Sequence, residues 1–480
     1  MLPVLSLTYW LTLHGLVTVI AVLIYVIAAH LLHQRRHPSA AIAWVLFILL
    51  MPYIALPAFL TFGSRKLSRP RLPVASIPTP DAGAPWAVQT ALALGQPAPA
   101  AYRQLQLHAD GRAALVALWD VIERAEHSID LCTFIIGRDT LGEAVIERLC
   151  AKARAGVRVR LLLDGLGSLM AGRPPLRRLS DCGGQFLLFV PPLHSPLKGR
   201  TNLRDHRKML IADAAHAGRR LWFGGRNLAC EYFEGLNGAA AWHDLSCDLH
   251  GPLVAQAHAL FEHDWRFAGG RSEAYAAPVE AAAPSAGAPA PLAGAAATPA
   301  EAEGGAQLIA SGPDQVDDTV YSLLVTAAYR ARRRIALVTP YFVPDAALLL
   351  ALCLAARRGV QVDLLLPARS NHTMSDVARS RALRLLADAG GRIWLAPQML
   401  HAKLVVVDDT LALCGSANLD SRSLFLNYEL MMAFHTPDAV GRFGAWFETE
   451  RAPARQCTPQ RAGLLRDVAE GLVLWVGFQL

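Results

Sequence analysis

The stretch Arg204–Asp213, "RDHRKMLIAD", sets a histidine and a lysine two residues apart and stops at an aspartate. Alternate side chains of a strand share a face, so a strand here projects His206 and Lys208 together into one site. Asp213 lies an odd number of positions from both and faces the other way, as an anchor for the strand end or its turn. The spacing is written twice: "LHAKLVVVDDT" repeats it with His401, Lys403 and Asp408. A glycine-containing turn follows each copy and ends in Asn227 after the first and in Asn418 after the second.

A neutral imidazole attacks phosphorus well and forms a covalent phosphohistidine, which splits a displacement into two steps. A second imidazole opposite it can protonate the leaving alkoxide and then take a proton from the incoming alcohol. Two lysines and two asparagine amides aimed at the phosphoryl oxygens would stabilise the charge that gathers there. Chemistry of this kind needs no metal and no cofactor. Each histidine needs a partner on its other ring nitrogen to fix its tautomer. Asp244, in "WHDLSCDLHGP", and Glu429, in "LNYEL", are the candidates. Both sit among apolar neighbours, where an unpaired carboxylate is costly; surface ion pairing is the alternative for them, as plain turn formation is for the two asparagines.

The elements around the motifs are also doubled. "SIDLCTFIIGRD" from Ser128 resembles "RIALVTPYFVPD" from Arg334, and "RAGVRVRLLLDG" from Arg154 resembles "RRGVQVDLLLPA" from Arg357. The period, roughly two hundred residues, is too long for a solenoid and suits two duplicated domains meeting at one site. Helical and strand patterns alternate within each copy, the mark of an α/β layer structure. The first domain is expected over 104–270 and the second over 306–480. Residues 271–305 are low-complexity Ala/Pro/Gly and read as a disordered linker. Residues 67–103 read as a tether. The last segment, "LLRDVAEGLVLWVGFQL", reads as a core helix or a membrane-facing one. The eight cysteines form no CxxC pair, and they read as reduced, buried thiols.

At 53% hydrophobic and 18% charged, the chain is apolar for a soluble enzyme, and much of the excess is N-terminal. No Asp, Glu, Lys or Arg occurs from Met1 to Ala29, and a second uncharged run covers Ala40–Gly63. Each reaches the ~20 residues a bilayer core requires, so residues 1–66 read as a membrane hairpin of two hydrophobic helices. A signal peptide fits less well, since there is no basic n-region and a second apolar run follows. Pro52 and Pro57 leave a re-entrant second run open. The basic residues Arg65, Lys66, Arg69 and Arg71 favour a cytoplasmic catalytic part, although Arg35 and Arg36 make the short loop basic too. The net charge of +7 suits anionic headgroups on a chain tied to the bilayer more simply than it suits nucleic acid.

The doubled His-x-Lys-x4-Asp resembles the signature of the phospholipase D superfamily. The text "DHRKMLIAD…GGRNLACEYF…WHDLSCDLHGP", then "TPYFVPD" and "LHAKLVVVDD…GSANLDSRSLFLNYE", resembles the bacterial cardiolipin synthases within it. The N-terminal "RRHPSAAIAWVLFILLMPYIALPAFLTFGSRK" resembles their membrane hairpin. The resemblance implies two similar α/β/α sandwich domains around a pseudo-twofold with one active site between them. It implies phosphatidyl transfer between two phosphatidylglycerol molecules at a bacterial inner membrane, without cofactor, metal or nucleic acid; it leaves the oligomeric state open. Carried over by position, His206 and His401 are nucleophile and acid/base, with His206 favoured as nucleophile. Lys208 and Lys403 bind phosphate, Asn227, Asn418 and Ser416 assist, and Asp244 and Glu429 orient the histidines. Asp213 and Asp408 complete the motif's catalytic set in a supporting part. Three departures stand out: the Gly224-Gly225 turn lacks the hydroxyl that Ser416 supplies, His243 stands where synthases often carry arginine, and the linker from Arg271 to Gly305 is longer than the resemblance implies. The rival readings are a phospholipase D-type hydrolase, a transferase with phosphatidylethanolamine as donor, a nuclease, which the hairpin argues against, and a catalytically dead membrane scaffold, which two intact motifs argue against.

Overall fold

A computed structural model describes residues 2–31, 38–62, 83–172, 174–191, 202–271, 303–315, 317–460, 463 and 470. Most of the Ala/Pro/Gly linker, the stretch 63–82 and nearly all of the last apolar segment lie outside the described residues.

In the first half, seven strands fall in the order Ala100–His108, Ser128–Thr133, Arg158–Leu163, Gln185–Leu188, Met209–Ala212, Arg220–Gly224 and Ser246–His250. In space the first pairs with the seventh, then come the sixth, fifth, second, third and fourth. The second half repeats this spatial order with Gly304–Ser311, Arg334–Val338, Gln361–Pro367, Arg392–Ala396, Leu404–Val407, Leu411–Gly415 and Asn427–Phe434. The two sheets join at their first strands, where Ala101 pairs with Gly305 in antiparallel register, so one 16-stranded sheet runs through the molecule. The pseudo-twofold passes between those strands.

Helices cover both faces because their apolar positions recur at helical spacing. In Gly111–Arg124, Ala114, Leu118, Val121 and Ile122 are buried, and Asp110 caps the start by accepting from the Ala113 N–H at 2.9 Å. The helices Val254–Phe267 and Pro437–Arg451 contribute to a single apolar cluster shared by both halves, while each half keeps a further cluster of its own. The shared core fixes the halves relative to each other.

The stretch 67–103 is not a plain tether throughout. It contains the helix Trp86–Ala93, whose Ala87 and Ala91 are buried in the second half's cluster, and the start of the strand Ala100–His108. The N-terminal helix Leu2–Leu31 includes a span, Thr8–Ala28, long and apolar enough to cross a membrane. The second apolar run is broken: Pro38–Leu50 and Pro52–Phe62 meet at Met51. Proline lacks the amide hydrogen that would continue the helical ladder, and neither piece alone reaches the ~30 Å of a bilayer core at 1.5 Å per residue. The pieces fold against the first helix, with Tyr25 edge-on to Phe59 at 4.8 Å.

Candidate active site

The expected strand through His206 and Lys208 is interrupted. Pairing stops at Asp205 and restarts at Met209. The reason is that Arg204–Asp205 leaves its own half and pairs in parallel with Asn427–Tyr428 of the other, and the His206 N–H donates to the Tyr428 carbonyl at 2.9 Å. The second copy does the same in reverse: the His401 N–H donates to the His243 carbonyl at 2.6 Å, and the His243 N–H to Met399 at 2.8 Å. Each motif thus docks on the segment that leads into the other half's carboxylate.

The consequence is a crossed arrangement. His206 Nδ1 lies 3.0 and 3.1 Å from the two oxygens of Glu429, and His401 Nδ1 lies 2.7 Å from Asp244 Oδ2. With Nδ1 engaged, Nε2 is the nitrogen left for chemistry, and at His401 it lies 3.0 Å from Lys403 Nζ. Both carboxylates are fully buried, and the His206 side chain, 12% exposed, is more open than that of His401, 5% exposed. His206 packs edge-on against Phe134 at 5.2 Å, while Tyr232 and Trp242 flank His401 at 5.1 and 5.7 Å.

Lys208 and Lys403 are both buried. Lys208 Nζ donates to the His206 carbonyl at 2.6 Å, and Lys403 Nζ to that of His401. Burial lowers both ammonium pKa values against the pull of the carboxylates, to about 8 for Lys208 and about 7 for Lys403. Burial, reinforced by Lys403, lowers His401 to about 3; burial also lowers His206, partly offset by Glu429. Burial opposes ionisation of Asp244, yet His401 and Lys403 hold it at about 2, and His206 and Lys208 hold Glu429 below its ordinary range. Each histidine feels both lysines, so the four basic groups share one electrostatic site.

Asn227 Nδ2 donates to the Tyr232 hydroxyl at 2.8 Å, and the Asn418 side chain hydrogen-bonds to Asp420. The buried Oδ1 of each amide has no partner among the described residues. A phosphate requires donors, so either amide must rotate to serve one.

Three calls change. The Ser416 hydroxyl does not stand free for phosphate: it donates to Glu429 Oε2 at 2.5 Å and accepts from the Leu430 N–H at 2.9 Å, which makes it an orienting group. Asp213 and Asp408 lie at the far ends of their strands, away from the histidines. Asp213 accepts from the N–H groups of Glu126, His127 and Ser128, and Asp408 from those of Arg332, Arg333 and Arg334. Both hold a left-handed backbone, φ +51° and +50°, at the turn they anchor.

The missing hydroxyl at Gly225 has a steric cause. A Cβ there would lie 2.2 Å from Asp244 Oδ1, so the shorter carboxylate occupies the space that Ser416 takes beside Glu429. The His243 side chain bonds Glu450 at 2.9 Å.

Sequence reasoning missed the supports that belong to one half only. Arg207, wholly buried, donates to the carbonyls of Glu429 and Ser311 at 3.1 Å each and to Asp264, tying the first motif across the interface. Arg226, also wholly buried, donates to the Asp244 carbonyl at 2.6 Å and to Ala109 and His108. Their counterparts by position are Ala402 and Ala417. An arginine inside an apolar-flanked motif, where the other copy has alanine, was the available signal.

Comparison with known proteins identifies the family of the two halves. The family described as "Cardiolipin synthase, PLD-like domain" matches residues 118–265 and 324–451, one match per half. The "Phospholipase_D-nuclease N-terminal" family matches residues 17–64. The chain is 30% identical over 455 residues to "Cardiolipin synthase A" of Pseudomonas putida (strain W619), covering 90% of each chain. It is 31% identical over 451 residues to the protein of that name from Serratia proteamaculans (strain 568), covering 88% of this chain and 86% of the relative. Among solved structures, a phosphatidylserine synthase of Haemophilus influenzae Rd KW20 superposes with a TM-score of 0.59 at 13% identity, over 80% of this chain and 97% of that one; this likeness concerns the fold.

Proposed function

This chain belongs to the phospholipase D-like cardiolipin synthase family, and from that premise we propose that it joins two phosphatidylglycerol molecules into cardiolipin and releases glycerol. The observation that carries the proposal is the crossed site: two imidazoles, each oriented by the opposite half's carboxylate, with two buried lysines beside them.

His206 Nε2 attacks the phosphorus of the first lipid and the bond to the terminal glycerol oxygen breaks. His401 gives that oxygen its proton, and free glycerol leaves. His401 then takes the proton from a glycerol hydroxyl of the second lipid. The freed oxygen attacks phosphorus, the N–P bond breaks, and cardiolipin departs. Lys208 and Lys403 stabilise the equatorial oxygens in both transition states, with the amides of Asn227 and Asn418 in support. His401 is neutral in the empty site. An entering phosphodiester anion raises the pKa of the His401 imidazole it faces, so His401 takes up a proton from solvent and hands that proton to the leaving glycerol oxygen, while His206, engaged in attack, stays neutral.

The donor and acceptor are anionic phospholipids held in a membrane. The N-terminal span Thr8–Ala28 seats the protein in the bacterial inner membrane, which it crosses more than once with Pro38–Leu50 and Pro52–Phe62 running together as one kinked second span, and Arg65, Lys66, Arg69 and Arg71 favour a cytoplasmic catalytic part. The deciding test is product analysis: purified full-length protein given phosphatidylglycerol alone forms cardiolipin and an equal amount of glycerol. Phosphatidic acid as the main product would mean that water, not a lipid alcohol, reaches the phosphohistidine, and that the protein is a hydrolase.

A further inference from the structure

Large apolar side chains are rarely left in water in a cluster without a partner for them. Outside the N-terminal helices, nine described large hydrophobic or aromatic residues are exposed, and five of them sit on three segments around the candidate site. Leu169 and Met170 end the helix Gly165–Met170. That helix is capped by Asp164, whose other oxygen accepts from the Asp205 N–H at 2.9 Å, next to His206. Leu236 lies on the loop between Tyr232 and Trp242, the two rings flanking His401. Met374 and Val377 open the helix Thr373–Asp388, preceded by Asn371, whose side chain accepts from the Tyr341 hydroxyl at 2.6 Å, and Tyr341 is near enough to Tyr232, the ring beside His401, to act on its hydroxyl electrostatically. The five are 39–67% exposed.

Two of these segments are related by the pseudo-twofold: one follows the strand Arg158–Leu163, the other its counterpart Gln361–Pro367. Their sequences differ, but both carry exposed apolar side chains and exposed arginine beside them. Arg138, close against Gly172, flanks Met170, and Arg369 and Arg381 flank Met374 and Val377. Apolar tips beside cations match the boundary between acyl chains and anionic headgroups.

We propose that this rim docks on an anionic bilayer, with Leu169, Met170, Leu236, Met374 and Val377 entering the headgroup–acyl boundary so that the mouth of the site opens onto lipid. The occupant is the membrane surface and not a protein: the apolar positions are spread over separate segments around the opening, continuous with the site, and the chain carries its own candidate membrane span, Thr8–Ala28. Docking would spare a lipid phosphodiester the cost of crossing water with its acyl chains exposed. The inference rests on the lipid-transfer reading above.

Two readouts on the full chain test it and separate its failure from that of the lipid-transfer reading. The first is turnover by Met170→Asp, Leu236→Asp and Met374→Asp, alone and combined, with Tyr329→Asp as an exposed control at the far end of the strands. On vesicles of equimolar phosphatidylcholine and phosphatidylglycerol the combined variant loses about tenfold or more, while on short-chain phosphatidylglycerol dispersed as monomers it stays within about twofold of the parent. Undiminished turnover on vesicles, or equal loss on both substrates, overturns the proposal. The second readout does not depend on activity. In the His206→Ala protein, backbone hydrogen exchange over 165–172 and 373–378 slows in nanodiscs of that composition relative to detergent and does not slow in pure phosphatidylcholine. Equal exchange in all three, or equal protection already in detergent because the chain's own C-terminal segment covers the rim, overturns it.

Discussion

The two halves carry the same motif at the same place in the same sheet, yet they support their histidines differently. Around His206 stand Arg207, which bridges to Asp264 and to the Glu429 carbonyl, and a glutamate steadied by Ser416. Around His401 stand two aromatic rings and an aspartate backed by a glycine, with Arg226 holding the backbone that carries it. The shared parts, histidine and lysine, are those the chemistry uses twice. In the proposed mechanism the unshared parts adapt one duplicated scaffold to two roles, an attacking nitrogen and a proton carrier. The difference also shows that the halves are not independent: each orienting carboxylate serves the other half's histidine, so neither half holds a complete imidazole–carboxylate pair.

Three experiments break or sharpen this comparison, and the largest effect comes from the chemistry. His206→Ala and His401→Ala should each abolish cardiolipin formation, but they part on an activated substrate. A phosphatidyl ester of p-nitrophenol leaves without protonation, so His401→Ala should still give a burst of nitrophenol and His206→Ala none. The crossed carboxylates follow suit: Glu429→Gln should slow both substrates by roughly 10²–10⁴, whereas Asp244→Asn should slow the natural lipid by a similar factor and largely spare the burst. If Asp244→Asn instead suppressed the burst and Glu429→Gln spared it, the crossing would be wrong.

A smaller effect tests the glycine–serine asymmetry. Gly225→Ser sets a Cβ against Asp244, and turnover should fall by roughly 10²-fold, the order expected when an orienting group is displaced. Ser416→Ala removes one hydrogen bond to Glu429 and should cost only about tenfold. Equal losses in kcat would dissolve the distinction between the two supports.

The smallest effect is in pH. A lysine with a depressed pKa loses its charge as pH rises through that value, and kcat/KM reports the free enzyme. With Lys403 at about 7 and Lys208 at about 8, kcat/KM should decline above about pH 7, well below the usual lysine range. The acid limb should lie below the ordinary histidine range, because His206 is held neutral. Lys403→Arg keeps the charge at all accessible pH and should move the alkaline limb upward; an unmoved limb would assign the titration elsewhere.

The sequence alone determined the duplication, the residue types of the site and the α/β class, because these depend on spacing and periodicity that the chain carries locally. It also marked the apolar N-terminus, since bilayer length is a count of residues. It could not determine which carboxylate faces which histidine. That pairing follows from Arg204–Asp205 crossing to the strand Asn427–Phe434, and from His401 docking on His243, contacts between segments about two hundred residues apart. Nor could it assign Ser416, whose hydroxyl serves a turn or a ligand equally well until Glu429 is seen beside it. Asp213 and Asp408 carry a related lesson: strand parity turned Asp213 away from the site as an anchor while the motif still grouped both with the catalytic set, and only the folded backbone, aiming three N–H groups at each, separates the two readings. Residue chemistry is written along the chain, but which groups meet is settled by burying one core common to both halves, and no local stretch encodes that.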